Sequence, residues 1–300
     1  MIGEFLALGS AFAFAFGNVA IAKGAVSRSG ESGVLLSVMM TGFLSALAWL
    51  VAGLPARSYA AAPLIWVAVG WFAASGLLAT VWGRLTLYRA IEYAGVVRAS
   101  TVRRLTPFFS VVLAWMVLGD HVSAAAGAGM AVIGLSFVLL IADSRKQLRD
   151  GSAGLNISSG YAFGILCAFL YAASYVVRKQ GLIHVPDAYL GAFIGSLAAL
   201  AYYLIGCLFS AGYRSVVRQS LKRPDSWQLL AAVCISVGQI AQFAALTFAD
   251  VSRVAMINSV EIFISAYLAV FVFKTEHRPS NLIVAATILA TAGVVLVAVG

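Results

Sequence analysis

Long apolar stretches, each broken by a short cluster of charged residues, glycine or proline, recur from one end of the sequence to the other. These breaks predict ten helices, over 3–23, 32–53, 63–91, 95–118, 121–142, 158–180, 187–209, 226–248, 252–274 and 280–299. Each is near the ~20 apolar residues that a helix needs to cross the hydrocarbon core. The stretches 132–142 and 284–299 are apolar on every side, whereas strands of a membrane barrel would alternate polar and apolar residues. Linkers are short except 143–157 and 212–225, so no soluble domain is expected between the spans. The first span has no basic stretch before it and no convincing cleavage site after it, and reads as a retained helix rather than a signal peptide.

The two halves repeat one another in a single register. Arg98 meets Arg253 155 positions later, and the same offset pairs Phe108 with Phe263, Ser110 with Ser265, Gly83 with Gly238, Tyr88 with Phe243 and Lys23 with Arg178. The expected repeats are 1–145 and 156–300. Five spans per half is an odd number, so the second repeat would sit upside down relative to the first. Such inverted repeats place the substrate site near the bilayer midplane, between the halves. The expected fold is therefore an all-α membrane protein with two inverted five-helix repeats around a central cavity.

Composition agrees: 62% of the 300 residues are hydrophobic and 10% charged, with mean hydropathy +0.97. Soluble domains carry roughly 25% charged residues. The net charge of +9 is spread between apolar segments, without the basic and aromatic interleaving of a nucleic-acid surface, so nucleic acid is not an expected partner. Cys167, Cys207 and Cys234 each lie in an apolar stretch with no metal-type spacing, and no metal or cofactor is expected. No phosphate-binding G-x-x-x-x-G-K-[ST] run is present, which points away from ATP and towards a secondary mechanism.

A run of residues makes the relationship nameable. Phe16-Gly17-Asn18 with Lys23 closes the first span, Leu105-Thr106-Pro107-Phe108-Phe109-Ser110 leads to Leu118-Gly119-Asp120, and Val260-Glu261-Ile262-Phe263 leads to Lys274-Thr275-Glu276. In these motifs the whole chain resembles the ten-helix EamA type of the drug/metabolite transporter superfamily. The resemblance implies transport of small metabolites, frequently export of amino acids, including aromatic ones.

A charge at mid-bilayer costs about 2.5–3.5 kcal/mol on insertion scales, so each one needs a reason. Glu261 falls near the centre of the ninth span, Arg84 within the third, and Arg103 and Arg104 two turns into the fourth. By the repeat, Asn258 corresponds to Arg103 and Gln239 to Arg84, with Gln242 close by. Asn18, Tyr88, Tyr171 and Tyr175 add polar or aromatic groups at similar depth. The expected substrate-binding set is Glu261, Arg84, Arg103, Arg104, Asn18, Tyr88, Tyr175, Gln239, Gln242 and Asn258, on spans 1, 3, 4, 6, 8 and 9. Spans 5 and 10 should face lipid or a partner.

A carboxylate beside guanidinium groups suits a zwitterion, its carboxylate on arginine and its ammonium on Glu261. The competing reading is an ion pair between Glu261 and Arg103 or Arg104 that only ties spans 4 and 9 together. Phe12, Phe14 and Phe16 are either cavity wall or ordinary packing, and Glu92 either ends a polar track from Arg84 or pairs with Arg89 at the surface. Pro107 removes a backbone donor midway along the fourth span and is either a hinge for alternating access or a fixed kink. Because arginines outnumber Glu261, organic anions or phosphorylated metabolites are the second substrate class. A channel or structural protein is a further alternative. An intramembrane enzyme is not expected: only one central carboxylate is present, and His121, His184 and His277 fall at span ends.

Lys and Arg concentrate near the linkers after the odd-numbered spans, as at Arg145, Lys146, Arg214 and Arg218, while Arg57, Arg178, Lys179 and Arg253 fall on the other side. The positive-inside rule would put both termini outside; the family resemblance would put them in the cytoplasm. The expected setting is the plasma (inner) membrane, with the lipid bilayer, a zwitterionic substrate and a candidate coupling proton as partners. A monomer and a homodimer both fit.

Overall fold

The computed structural model describes residues 2–25, 30–52, 64–103, 105–118, 124–149, 157–222, 225–249, 254, 257–258, 260–274 and 280–299. All regular structure among them is helical. The helices are α1 (Ile2–Ala25), α2 (Gly30–Ala52), α3 (Ile65–Ala94), α4 (Val96–Val102), α5 (Leu105–Leu118), α6 (Ala124–Arg149), α7 (Ile157–His184), α8 (Ala188–Phe209), α9 (Ala211–Lys222), α10 (Ser226–Phe248), α11 (Glu261–Tyr267) and α12 (Asn281–Val299). Six of them are long and apolar enough to cross a membrane: α1, α2, α3, α7, α8 and α10. Large apolar side chains point outward from these helices, among them Trp66, Leu208 and Phe209, which are 78%, 77% and 85% exposed. Lipid, not water, is the medium that such a surface needs.

Local sequence explains the helix ends. Gly95 takes φ 81°, a left-handed conformation suited to glycine, and closes α3. The Asp187 side chain accepts 3.0 Å hydrogen bonds from the Tyr189 and Leu190 amides and so caps α8. Its second oxygen accepts the Trp49 indole N–H at 3.1 Å, which ties the end of α2 to that cap. Two helices contain π-helical turns, Leu77–Gly83 inside α3 and Leu268–Val272 continuing α11.

The packing is two-fold. The most extensive contact of α1 is with α10, and α7 lies in the same way along α3; α2 packs on α10 as α8 packs on α3. These relations follow the 155-residue offset. Arg84 and Gln239, which that offset relates, hydrogen-bond to one another. Two residues that occupy equivalent places in a repeat can touch only where the symmetry axis passes between them. Meanwhile α6 and α12, from the fifth and tenth spans, pack mainly on each other, with Leu135, Val138, Val284 and Ile288 facing outward.

Three expectations change. The fourth span is broken, with Arg103 in a turn between α4 and α5. The ninth is broken as well: Val260 lies in a turn and Glu261 opens α11 rather than sitting in mid-helix. The linker 212–225 contains the helix α9, whose Tyr213, Val216, Val217 and Ser220 turn inward while Arg214 and Arg218 stay exposed. That 3–4 spacing is amphipathic, but the segment is too short and too basic to resemble a span.

Candidate functional site

Both broken helices stop at the same place. Arg103 caps the C-terminal end of α4, and Glu261 is the first residue of α11. Orphan carbonyls at a helix C-terminus favour a cation, and orphan N–H groups at an N-terminus favour an anion. Each charge is therefore matched to its own helix end before the two meet. Arg103 Nη1 lies 3.0 Å from Glu261 Oε1, with Glu261 buried and the Arg103 side chain 12% exposed. Asn18 Nδ2, from α1, donates to the same oxygen at 2.7 Å. Both donors fall on Oε1; no described residue donates to Oε2. The Arg103 guanidinium also lies 5.1 Å from the centre of the Tyr171 ring on α7.

A cavity opens beside this pair. Ser100, Arg103, Thr106, Pro107, Tyr175, Gln242, Asn258 and Glu261 line about 410 Å³ of empty space, including its open mouth. Every lining residue is polar or charged except Pro107, which suits a polar solute rather than a lipid tail. The wall comes from the fourth, sixth, eighth and ninth spans, and the first contributes Asn18 through Glu261. None of the lining residues comes from the fifth or tenth.

Of the residues expected at a binding site, Glu261, Arg103, Tyr175, Gln242 and Asn258 meet here, with Asn18 directly behind. Arg84, Gln239 and Tyr88 do not line the cavity. Arg84 is fully buried, and its guanidinium donates to Ser37 Oγ at 2.8 Å, to Thr41 Oγ1 at 2.9 Å and to Gln239 Oε1. Gln239 in turn donates to Thr80 Oγ1 at 3.0 Å. This network joins α2, α3 and α10 and engages both terminal nitrogens of the arginine, leaving its Nε without a partner among the described residues. Tyr88 turns its hydroxyl to the Gly33 carbonyl at 3.4 Å. Arg104 lies outside the described residues. Glu92 pairs with Arg89 at 3.3 Å on an exposed face. Phe12 and Phe16 face outward and Phe14 packs against Gly238, so none of the three walls the cavity.

Pro107 takes an unexpected position. The first part of the span ends at Val102, Arg103 lies in a turn, and the Thr106 amide bonds back to the Arg103 carbonyl at 2.9 Å. Pro107 is thus the third residue of α5, where a backbone N–H would have no helical partner in any case. Pro107→Ala is expected to change stability by less than about 1 kcal/mol, far below the ~3 kcal/mol of a proline in a helix interior; thermal unfolding in detergent measures it.

Sequence reasoning missed two lining residues, Ser100 and Thr106, and the burial of Arg178. Arg178, counted above among linker charges, is 1% exposed inside α7, on the face it shares with Tyr171 and Tyr175. The i, i+4, i+7 spacing of Tyr171, Tyr175 and Arg178 was the available signal.

The sequence model of the EamA-like transporter family matches the chain twice, over residues 1–142 and 158–299. No curated protein matches significantly. A solved structure, described only as the crystal structure of a protein, superposes with TM-score 0.60 at 18% identity, covering 97% of this chain and 95% of that one. At that identity the likeness speaks for the fold. The family match spans nearly the whole sequence, in both halves, and the chain belongs to the EamA-like transporter family, a family of membrane transporters of small molecules.

Proposed function

We propose that this protein is a secondary transporter in the plasma (inner) membrane that exports small zwitterionic metabolites by alternating access, with amino acids bearing aromatic or hydrophobic side chains foremost. The observation that carries this reading is the Arg103–Glu261 pair at the joint of two broken helices. It presents one carboxylate oxygen without a donor, among the described residues, to a polar cavity. Discontinuous helices with their ends at a mid-membrane site are a recurring transporter device. A free ammonium would find an acceptor at Glu261, and an alternating-access carrier needs no cofactor for this.

Organic anions are the second reading, favoured by a specific imbalance. Among the described residues, Arg84 and Arg178 are buried in the spans and Arg103 is 12% exposed at the cavity, against Glu261 as the carboxylate there, since the other buried carboxylate, Asp187, caps α8. Radiolabelled flux in proteoliposomes tests both, with phenylalanine, leucine, benzoate and succinate offered in turn. Saturable flux of the amino acids supports the first reading. Saturable flux of the anions alone transfers the assignment to the second, and unsaturable flux of every solute would make the protein a channel. Imposing a pH gradient in the same vesicles tests coupling: acceleration of amino acid efflux by inward-directed protons supports proton antiport, and indifference removes it.

A further inference from the structure

Two fully buried guanidinium groups, those of Arg84 and Arg178, have no carboxylate partner among the described residues. Arg84 has three acceptors for its terminal nitrogens in the network described above. Arg178 has two, both distant. Its Nε reaches Ser75 Oγ at 3.4 Å and its Nη1 reaches Gln242 Oε1 at 3.3 Å, both at the long edge of hydrogen-bond geometry. Its guanidinium lies 3.8 Å from the centre of the Phe243 ring and 5.6 Å from that of Tyr175. A buried cation with only weak neutral acceptors is costly unless something supplies the opposite charge.

The position of this arginine says where that charge comes from. Gln242 and Tyr175, two of its four neighbours, are themselves lining residues of the cavity, and the Gln242 amide also donates to the Tyr175 hydroxyl at 2.9 Å. We propose that Arg178 is the anion-binding residue of the transport site. The carboxylate of the substrate displaces the long Gln242 contact and docks on the guanidinium fork, while its ammonium faces Glu261. The inference rests on the transporter reading and deepens it by assigning the two ends of the substrate. Arg103 is the poorer candidate because Glu261 already neutralises it. The Phe243 ring, its centre 3.8 Å from the guanidinium, restrains that group from one side, and the fork suits bidentate docking of a carboxylate. Lysine has the charge but no fork, so Arg178→Lys should be only partly competent.

The experiment measures concentration dependence of flux in proteoliposomes for phenylalanine, with phenethylamine, which lacks the carboxylate, as competitor. Wild type is expected to transport phenylalanine saturably and to bind phenethylamine poorly. Arg178→Gln is expected to raise the half-saturation concentration of phenylalanine about 30-fold or more, with phenethylamine inhibition unchanged within about twofold and Arg178→Lys intermediate. Gln242→Glu is the second variant. It places a carboxylate where that of the substrate should dock, and should weaken phenylalanine while strengthening phenethylamine, even if Arg178→Gln fails to fold. Half-saturation within about threefold of wild type in either folded variant overturns the proposal. If wild type carries benzoate and no amino acid, the same shift is expected for benzoate, and its absence overturns the assignment. If wild type carries none of the panel, the substrate assignment fails and the role of Arg178 as carboxylate anchor is overturned with it.

Discussion

Glu261→Gln is expected to abolish transport and to lower stability by about 3 kcal/mol, whereas Arg103→Gln with Glu261→Gln recovers most of the stability and none of the transport. The single change removes the charge but keeps the shape, so the largely enclosed Arg103 guanidinium is left with only neutral acceptors. Breaking a buried pair from one side costs about 3–5 kcal/mol, and a glutamine oxygen that still accepts from Asn18 and Arg103 keeps the loss at the lower end. Removing both charges leaves a neutral amide pair in the same space, and buried ion pairs replaced on both sides are often nearly neutral in stability. Unfolding of the four proteins in detergent gives the coupling energy as a double-mutant cycle, and flux in proteoliposomes gives the function. A pair that only ties the broken helices together would let the double variant transport, and that outcome would remove Glu261 from the substrate site.

The residues at this pair were legible in sequence; the helix breaks that bring them together were not. Glu261 and Arg103 stand out because a charge within an apolar span demands a partner, and the 155-residue register places their spans at matched depth. The breaks leave little trace in composition, because the residues around Arg103 and Val260 are those of any polar helix face. Arg84 shows the opposite failure. Its depth suggested a cavity, yet Ser37 and Thr41, which accept from it, and Thr80, which accepts from its partner Gln239, are small hydroxyl residues that attract no notice in an apolar stretch. Arg178 was misassigned because α7 runs on to His184, several residues beyond the expected end of the sixth span, so a residue near the apparent boundary is in fact enclosed. Helix length inside a membrane protein is set by packing as well as by hydropathy, and only the second is visible in a single sequence.

Gly76→Ala is expected to cost at least about 3 kcal/mol and to leave little monodisperse protein, while Gly195→Ala at the same helix crossing costs nearer 1 kcal/mol. The two glycines face each other where α3 crosses α8. A Cβ on Gly76 would overlap the Gly195 backbone itself, at its carbonyl and Cα, and no rotamer change can relieve that. A Cβ on Gly195 would lie 3.1 Å from Gly76 Cα and 3.2 Å from the Phe72 carbonyl oxygen, close enough to require a shift of a few tenths of an ångström but no more. Small residues at such crossings let backbones approach, and dispersion across the contact holds helices together where lipid supplies no hydrophobic drive. The damage from Gly76→Ala would spread, because α3 also carries Phe72, whose ring packs against Gly181 and Gly191 and meets Phe243 edge-on at 6.3 Å. Moving α3 away from α8 would draw Ser75 from Arg178 as well, so the crossing supports one wall of the proposed anion site. Thermal unfolding of both variants in detergent, read by intrinsic fluorescence, checks the asymmetry. Equal melting temperatures would show that α3 and α8 have room to part, and that the position of Arg178 does not depend on their close approach.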